Sequence, residues 1–217
     1  MSLVIVGSGD HGRVMAEAAS AAGHPAVGFV DPAERAEGSA SEIDGLPVLG
    51  VLTDAQLRTR FEGDTTFVVA LGSNQRRQEA FAECKRLGWR PATIVHPTAI
   101  VLGGSRVEEG SQVCAAAVIG VAAEIGADVI VNTAATIDHD GRIGDHAFIG
   151  PGAHLAGRVT VEEGAHVGIG AIVREGCTIG AWSYVAAGAV VVSDVPSRTR
   201  VAGIPARPMD RPPEDPA

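Results

Sequence analysis

Residues 137–157 read IDHDGRIGDHAFIGPGAHLAG, a stretch in which an aliphatic residue returns at every sixth position. The period extends far beyond this stretch, because every sixth residue from Val95 to Val191 is valine, isoleucine or leucine. A small residue stands two positions before most of these aliphatics, as Ala147 stands before Ile149. A six-residue period of this kind is typical of a parallel β-helix, in which three hexads form one triangular coil. We therefore expect the aliphatics to point inward and residues eighteen apart to stack on neighbouring coils.

The segment before the repeats, residues 1–92, has a different pattern. Strands are predicted at 3–6, 26–31 and 66–72, and helices at 11–23 and 74–88. This alternation predicts a small parallel sheet with helices packed on it, which is a Rossmann-like α/β domain. We therefore expect this domain over 1–92, a β-helix over 93–207, and a loose proline-rich, acidic tail over 208–217.

The composition limits the classes of partner. A formal net charge of −9 gives no electrostatic reason to expect nucleic acid or an anionic membrane surface as a partner. Cys84, Cys114 and Cys177 lie far apart without a CxxC pair, which argues against a disulfide framework or a thiolate zinc site. The first apolar run is too short for a signal peptide or a membrane span. We expect a cytoplasmic protein with a small-molecule ligand.

A glycine-rich loop, GSGDHG at 7–12, lies between a predicted strand and a predicted helix, and Asp31 ends the next strand. Closely approaching glycines and a helix N-terminus can hold any phosphate group. The motif alone is compatible with an NAD-dependent oxidoreductase, with a nucleotide-sugar site, or with glycines that only pack helix against strand. The predicted sheet leaves little room for a second mononucleotide unit, which argues against NAD.

His139 is the first candidate for a catalytic residue. It follows the inward Ile137 by two positions, so we expect it to project outward from a corner of the coil, where packing does not require an imidazole. Histidine titrates near neutral pH and therefore suits a base that takes a proton from an attacking amine. Gly157, eighteen residues later, should lie directly beside His139 and could offer its N–H to a developing oxyanion. His146, His154 and His166 are weaker candidates. His146 could reach the site from a neighbouring coil, but we expect it to be a solvated surface residue.

Four stretches resemble a known family: GSGDHGRV at 7–14, ALGSNQRR at 70–77, NTAATIDHD at 132–140 and VAGIPAR at 201–207. Together with the hexads, they make the chain similar to bacterial nucleotide-sugar acetyltransferases of the left-handed β-helix superfamily, of the bacillosamine and perosamine type. The resemblance covers nearly the whole chain. It implies a left-handed β-helix and transfer of an acetyl group from acetyl-CoA to a nucleotide-linked 4-amino-4,6-dideoxy sugar.

The resemblance also assigns roles to residues. It implies that His139 is the general base and that Asp140 orients its ring, although the spacing leaves Asp138 as an alternative partner. It places the nucleotide-sugar at Gly7, Ser8, Gly9, His11, Gly12, Asp31, Ser73, Asn74 and Arg77. It places acetyl-CoA at Gly157, Ile169, Ala187, Gly203, Ile204 and Ala206, in a groove between two β-helices. Because one β-helix supplies one wall of that groove, we expect a homotrimer with three interfacial sites.

Three alternatives remain at this point. A sialic-acid type O-acetyltransferase shares the two-domain layout but acetylates a hydroxyl group. A non-enzymatic nucleotide-sugar binding module would need the glycine loop and not His139. Some left-handed β-helices are carbonic anhydrases that bind zinc through three histidines. The histidines here occupy unrelated corner positions, so we expect no metal.

Overall fold

The computed structural model describes residues 2–32, 40–61 and 64–209. The chain begins with an α/β domain whose elements are β1 (Ser2–Val6), α1 (Asp10–Ala21), β2 (Ala26–Asp31), β3 (Glu42–Ile43), β4 (Leu46–Val51), α2 (Ala55–Arg60), β5 (Thr65–Val69), α3 (Asn74–Arg86) and β6 (Arg90–Pro91). The sheet has the order β3-β4-β2-β1-β5-β6, and only the β3–β4 pair is antiparallel. All the predicted strands and helices of this domain are present. The sequence did not predict β4, because Pro47 and Gly50 interrupt its apolar pattern.

Beyond this domain the chain winds into a left-handed parallel β-helix, whose strands form three flat faces. The docked face, which packs against the first domain, contains β7 (Ile94–Val95), β10 (Gln112–Val113), β13 (Ile130–Val131), β16 (Phe148–Ile149), β19 (His166–Val167), β22 (Tyr184–Val185), β24 (Arg200–Ala202) and β25 (Arg207–Pro208). The apolar face contains β8 (Ile100–Val101), β11 (Val118–Ile119), β14 (Thr136–Ile137), β17 (His154–Leu155), β20 (Ile172–Val173) and β23 (Val190–Val191). The polar face contains β9 (Arg106–Val107), β12 (Glu124–Ile125), β15 (Arg142–Ile143), β18 (Thr160–Val161) and β21 (Thr178–Ile179).

Strand pairing in the β-helix follows the eighteen-residue arithmetic of the sequence. Ile137 pairs with Ile119 on one side and with Leu155 on the other. The inward aliphatics and the small residues beside them form one continuous core along the coils. Val101 departs from the expected burial, since it is 42% exposed in the first coil, which has no complete coil beneath it.

Each corner from Gly104 to Gly188 contains a residue in the left-handed backbone conformation, three positions after the inward aliphatic. The φ angle is +57° at Ala122, +55° at Asp140, +59° at His146 and +59° at Arg158. This conformation is uncommon for residues other than glycine, and aspartate and asparagine tolerate it better than most. The corner geometry therefore fixes where the side chains of residues next to it can point.

Helix α3 attaches the first domain to the corner between the polar and docked faces. Its Phe81 ring lies over Gly110, where a Cβ atom would come within 2.4 Å of the ring, and packs edge-on against His146 with ring centroids 5.8 Å apart. Farther along the docked face, Gln112 donates to the Val69 carbonyl at 2.7 Å. The two parts of the chain are thus joined by packing and by hydrogen bonds.

The C-terminal end of the β-helix extends beyond the last predicted hexad at Val191. β24 adds a further parallel strand beside β22, and β25 folds back antiparallel, pairing Pro208 with Val201. The start of the predicted loose tail is therefore ordered, whereas residues 210–217 lie outside the described part. Among the described helices, none combines the length and apolar character needed to cross a membrane.

Candidate active site

His139 and Asp140 form a hydrogen-bonded pair at the corner between the apolar and polar faces. Nδ1 of His139 lies 2.8 Å from Oδ2 of Asp140, and 44% of the histidine side chain is exposed. With the carboxylate ionised, Nδ1 donates its proton and the lone pair belongs to Nε2. A carboxylate that holds one nitrogen in this way fixes the tautomer and orientation of the ring, which leaves Nε2 as a base.

Asp138, the other possible partner, has a different role. Its Oδ1 accepts a hydrogen bond from the backbone N–H of His139 at 2.7 Å. The carboxylate of Asp138 therefore holds the backbone of the corner. The structure brings Asp140, and not Asp138, to the imidazole.

Gly157 lies directly against the His139 ring. The coils are joined here by a hydrogen bond from the Arg158 N–H to the His139 carbonyl at 2.9 Å. A Cβ atom on Gly157 would lie 2.4 Å from Nε2 of His139, so only glycine leaves room for the imidazole. Within the described part of the chain, the Gly157 N–H donates no hydrogen bond. The pair thus presents a base and an unused backbone donor side by side.

The glycine loop lies at the point where the strand order of the first sheet reverses. From β1 the chain builds outward to β2 and β4 on one side, and then adds β5 on the other. In such sheets, ligands bind in the crevice outside the carboxyl ends of the strands at this switch point. Gly7 follows β1 with φ +106°, and a Cβ there would lie 2.8 Å from the carbonyl oxygen of Ala70, which follows β5. A Cβ on Gly12 would lie 2.2 Å from the Gly7 carbonyl oxygen, so α1 can start this close to the loop only with glycine.

The other loop residues face this crevice or its base. Asp31 accepts hydrogen bonds from both the N–H and the hydroxyl of Ser8, each at 2.8 Å. Gly9 precedes α1 and has open space where a side chain would be. His11 lies 2.9 Å from Oε1 of Gln112, and its burial lowers the pKa of the imidazole. His11 therefore bridges the loop to the docked face of the β-helix.

Arg77 and Asn74, which were expected to complete the nucleotide-sugar pocket, lie buried in the interface between the two domains. The Arg77 side chain is fully buried, with Nε 3.2 Å from Oδ2 of Asp128 and a further contact to the His146 carbonyl. Asn74 donates to the carbonyls of Gly164 and Ala165. Ser73 is also buried, and its hydroxyl caps α3 by accepting from the Arg76 N–H at 3.2 Å. The sequence spacing could not reveal this, because the acceptors in the β-helix lie 51 to 91 positions away along the chain.

Comparison with known proteins places this geometry in a family. Residues 2–84 match the model of the PglD N-terminal domain. Perosamine N-acetyltransferase from Caulobacter crescentus, solved with CoA and GDP-perosamine as a variant with one histidine replaced by asparagine, is 36% identical, with a TM-score of 0.90 and coverage of 97% of this chain and 98% of that one. The acetyltransferase domain of PglB from Neisseria gonorrhoeae, solved with acetyl coenzyme A, is 35% identical, with a TM-score of 0.87 and coverage of 96% and 98%. No curated protein sequence gave a significant match.

The chain belongs to the nucleotide-sugar N-acetyltransferases of the left-handed β-helix superfamily. The fold and family expected from the sequence are thereby confirmed.

The remaining histidines of this N-acetyltransferase differ from one another. His154 is exposed on the apolar face, with Nδ1 2.9 Å from the Thr136 hydroxyl. The expectation of a solvated surface residue is wrong for His146, whose side chain is 14% exposed and whose Nδ1 lies 2.8 Å from Oδ2 of Asp128. His166 is stacked between two aromatic rings, those of Phe148 and Tyr184. Burial raises the pKa of Asp128, an effect that Arg77 and His146 oppose.

The residues expected at acetyl-CoA occupy two corners of this N-acetyltransferase. Gly157 lies at the corner of His139, whereas Ile169 and Ala187 lie exposed at the corner between the docked and apolar faces. Gly203, Ile204 and Ala206 form the turn between β24 and β25, where Gly203 and Ile204 are exposed. The apolar face separates the two corners within one chain.

Proposed function

We propose that this chain transfers the acetyl group of acetyl-CoA to the amino group of a nucleotide-linked 4-amino-4,6-dideoxy sugar. The observation that carries the proposal is the His139–Asp140 pair beside the free N–H of Gly157. Perosamine N-acetyltransferase variants in which one histidine is replaced by asparagine or alanine were crystallised with CoA and GDP-perosamine. Binding without that histidine supports a catalytic role for a histidine in this family.

The geometry supports direct transfer. The amine attacks the thioester carbon, and Nε2 of His139 takes the proton that the nitrogen loses, while Asp140 holds Nδ1–H and stabilises the imidazolium. The carbonyl oxygen becomes an oxyanion, which the N–H of Gly157 can stabilise. When the intermediate collapses, the C–S bond breaks and the imidazolium returns its proton to the CoA thiolate. The products are the amide and CoA, and the enzyme is unchanged.

The position of His139 supports a site shared between subunits. The glycine loop lies against the docked face, whereas His139 occupies the one corner that does not border that face. The β-helix itself therefore stands between the glycine loop and the His139 of the same chain. An acceptor held at the loop meets the His139 of another subunit.

The apolar face offers the surface for this assembly. Ile100 and Ile172 point outward from it and are 53% and 47% exposed in the single chain. Exposed aliphatic side chains on a flat face are typical of subunit interfaces. Because this face separates the corner of Gly157 from that of Ile169, a cyclic homotrimer would bring the two corners of neighbouring chains together around acetyl-CoA.

We expect the enzyme to act in the cytoplasm, where acetyl-CoA is supplied.

A direct assay tests the proposal. The purified protein is incubated with acetyl-CoA and with GDP-, UDP- or TDP-linked 4-amino-4,6-dideoxy sugars, and the release of CoA is followed. Matched sugars with a 4-hydroxyl group are the control. Acetylation of an amino sugar and not of its hydroxyl counterpart is the expected result. Acetylation of the hydroxy sugar alone would indicate an O-acetyltransferase. If none of the sugars causes release of CoA, only the binding module remains.

A further inference from the structure

Two half-buried aromatic side chains of the docked face lie next to the N-terminal end of α3, the helix that follows β5 at the switch point. Arg77 donates to the Ala147 carbonyl at 3.2 Å and Asn74 donates to the Ala165 carbonyl at 3.2 Å. These carbonyls belong to the residues just before Phe148 and His166. The first turn of α3 therefore lies beside the backbone from which those two side chains project.

The first domain covers the docked face completely only up to the coil of Ile130. The outward side chains of Gln112 and Ile130, lower on the same face, are fully buried beneath the domain. Phe148 and His166, on the next two coils, are only partly buried. These two side chains therefore lie at the edge of the domain interface, where a ligand held at the switch point could reach them.

The His166 ring is held in one orientation by its neighbours. Its centroid lies 4.5 Å from that of Phe148 with the planes 11° apart, and 4.7 Å from that of Tyr184 with the planes 16° apart. The Arg200 guanidinium covers the outer side of Tyr184 at 4.3 Å. A ring stacked on both sides can present only its edge to a ligand.

The two nitrogens of His166 lie in different surroundings. Nδ1 is buried and, within the described part of the chain, has no hydrogen-bond partner, whereas Nε2 is not shut off in this way. Burial, together with Arg77 and Arg200, lowers the pKa of His166 to about 4, so the ring is neutral at physiological pH. A neutral imidazole carries one N–H, and a buried N–H without an acceptor is costly. The proton therefore belongs on Nε2.

We propose that His166 is a specificity-determining residue for the acceptor, and that its Nε2–H donates a hydrogen bond to a hydroxyl oxygen of the sugar held in the switch-point crevice. A neutral donor suits a hydroxyl oxygen better than a phosphate, which binds most strongly to charged donors. Because the ring stays neutral, His166 positions the acceptor and does not transfer the proton of the reaction. This inference rests on the proposed acceptor class.

The variant His166→Phe tests the role, because phenylalanine preserves the stack and removes the N–H. We expect the KM and the Kd for the nucleotide-linked amino sugar to rise about 3- to 10-fold, the range for loss of one neutral hydrogen bond. The Kd for the nucleoside diphosphate alone, the KM for acetyl-CoA and the shape of the kcat–pH profile should not change. Tyr184→Phe, which removes a hydroxyl from the same stack, is the matched control and should leave every constant unchanged.

Calorimetric Kd values keep this test separate from that of the proposed function, because they do not require turnover. An unchanged Kd for the nucleotide sugar in His166→Phe overturns the assignment. An equal loss of affinity for the nucleoside diphosphate alone also overturns it, since the contact would then be to the diphosphate or the base. His166→Gln, which retains an amide N–H donor, should recover part of the lost affinity for the sugar. Failure of the wild-type chain to acetylate any amino sugar would instead contradict the proposed function.

Discussion

The imidazole of His139 lies over the backbone of Gly157, so close that a Cβ atom on the glycine would come within 2.4 Å of Nε2 and 2.6 Å of Cε1. The two residues occupy equivalent positions on neighbouring coils. The ring of His139 can take its position only because Gly157 has no side chain. The glycine has therefore two possible effects on catalysis, through its N–H and through the space that it leaves for the base.

Gly157→Ala is expected to displace the imidazole and to lower kcat by about 10²-fold, the scale for loss of a general base. Gly103→Ala is the matched control, because Gly103 occupies the same corner position two coils below His139 and a Cβ there meets nothing within 4 Å. Steady-state kinetics and the unfolding temperature of both variants check the prediction. Equal activity of the two variants would show that the His139 ring does not need this space.

His139→Asn should lower kcat by about 10²-fold or more and leave the Kd for acetyl-CoA unchanged, because the base is lost without altering the groove. Asp140→Asn should cost less, since the imidazole remains but loses the carboxylate that orients it. Turnover by each variant, with calorimetric titration of CoA, measures both effects. A larger loss of turnover in Asp138→Asn than in Asp140→Asn would contradict the assignment of Asp140 as the partner of the His139 ring.

Arg77→Met should destabilise the protein by about 3–5 kcal/mol, because it leaves the carboxylate of Asp128 buried without its cation. Both side chains are fully buried, with Nε and Oδ2 3.2 Å apart. Arg76→Met, one position away on the exposed side of α3, is the control and should change the free energy of unfolding very little. Chemical denaturation gives both values. If Arg77→Met instead lost affinity for the nucleotide and kept its full stability, Arg77 would be a ligand-binding residue.

Ile172→Glu should dissociate the proposed trimer and abolish activity together, since it places a charge on the apolar face. Thr160→Glu occupies the matching outward position on the polar face and should leave both unchanged. Light scattering and the acetylation assay on each variant make the comparison. Full activity in a monomeric Ile172→Glu protein would contradict a site shared between subunits.

Acid should destabilise the wild-type protein more than His166→Phe. The pKa of His166 is lowered from 6.5 to about 4 in the folded state, so between these pH values the unfolded chain binds a proton that the folded chain does not. The contribution of His166 to stability is therefore fully present above pH 6.5 and falls as the pH drops towards 4. Denaturation curves of both proteins at pH 7 and pH 4.5 test this prediction. If the free energy of unfolding falls equally in both proteins, the pKa of His166 is not lowered in the folded state.

The sequence predicted the β-helix well because its period is set by local geometry. Every coil must place an aliphatic inward, so the pattern from Val95 to Val191 is visible without knowledge of any contact. The same arithmetic placed Gly157 beside His139. It could not show that the glycine leaves room for the ring itself, since stacking defines which residues are neighbours and not how their side chains turn.

The contacts between the domains could not be predicted in this way. Arg77 follows a loop that resembles a ligand-binding motif, yet its guanidinium is buried against Asp128 and the carbonyls of the coils. His146 and His166 likewise lie in an ordinary hexad pattern, and only the docking of α3 and the stacking with Phe148 and Tyr184 bury them. The burial of these side chains depends on how the α/β domain packs against the β-helix, and the sequence pattern of neither domain contains that information.

The three-hexad coil also determines which changes of length the molecule can accept. A deletion of eighteen residues would leave every later side chain on its own face, with His139 still at the corner away from the first domain. A deletion of six would be just as compatible with the pattern of inward aliphatics, but it would transfer every residue beyond it to the next face. The number of preceding residues therefore determines on which face a residue lies. Insertions or deletions in such proteins should be tolerated when their length is a multiple of eighteen residues.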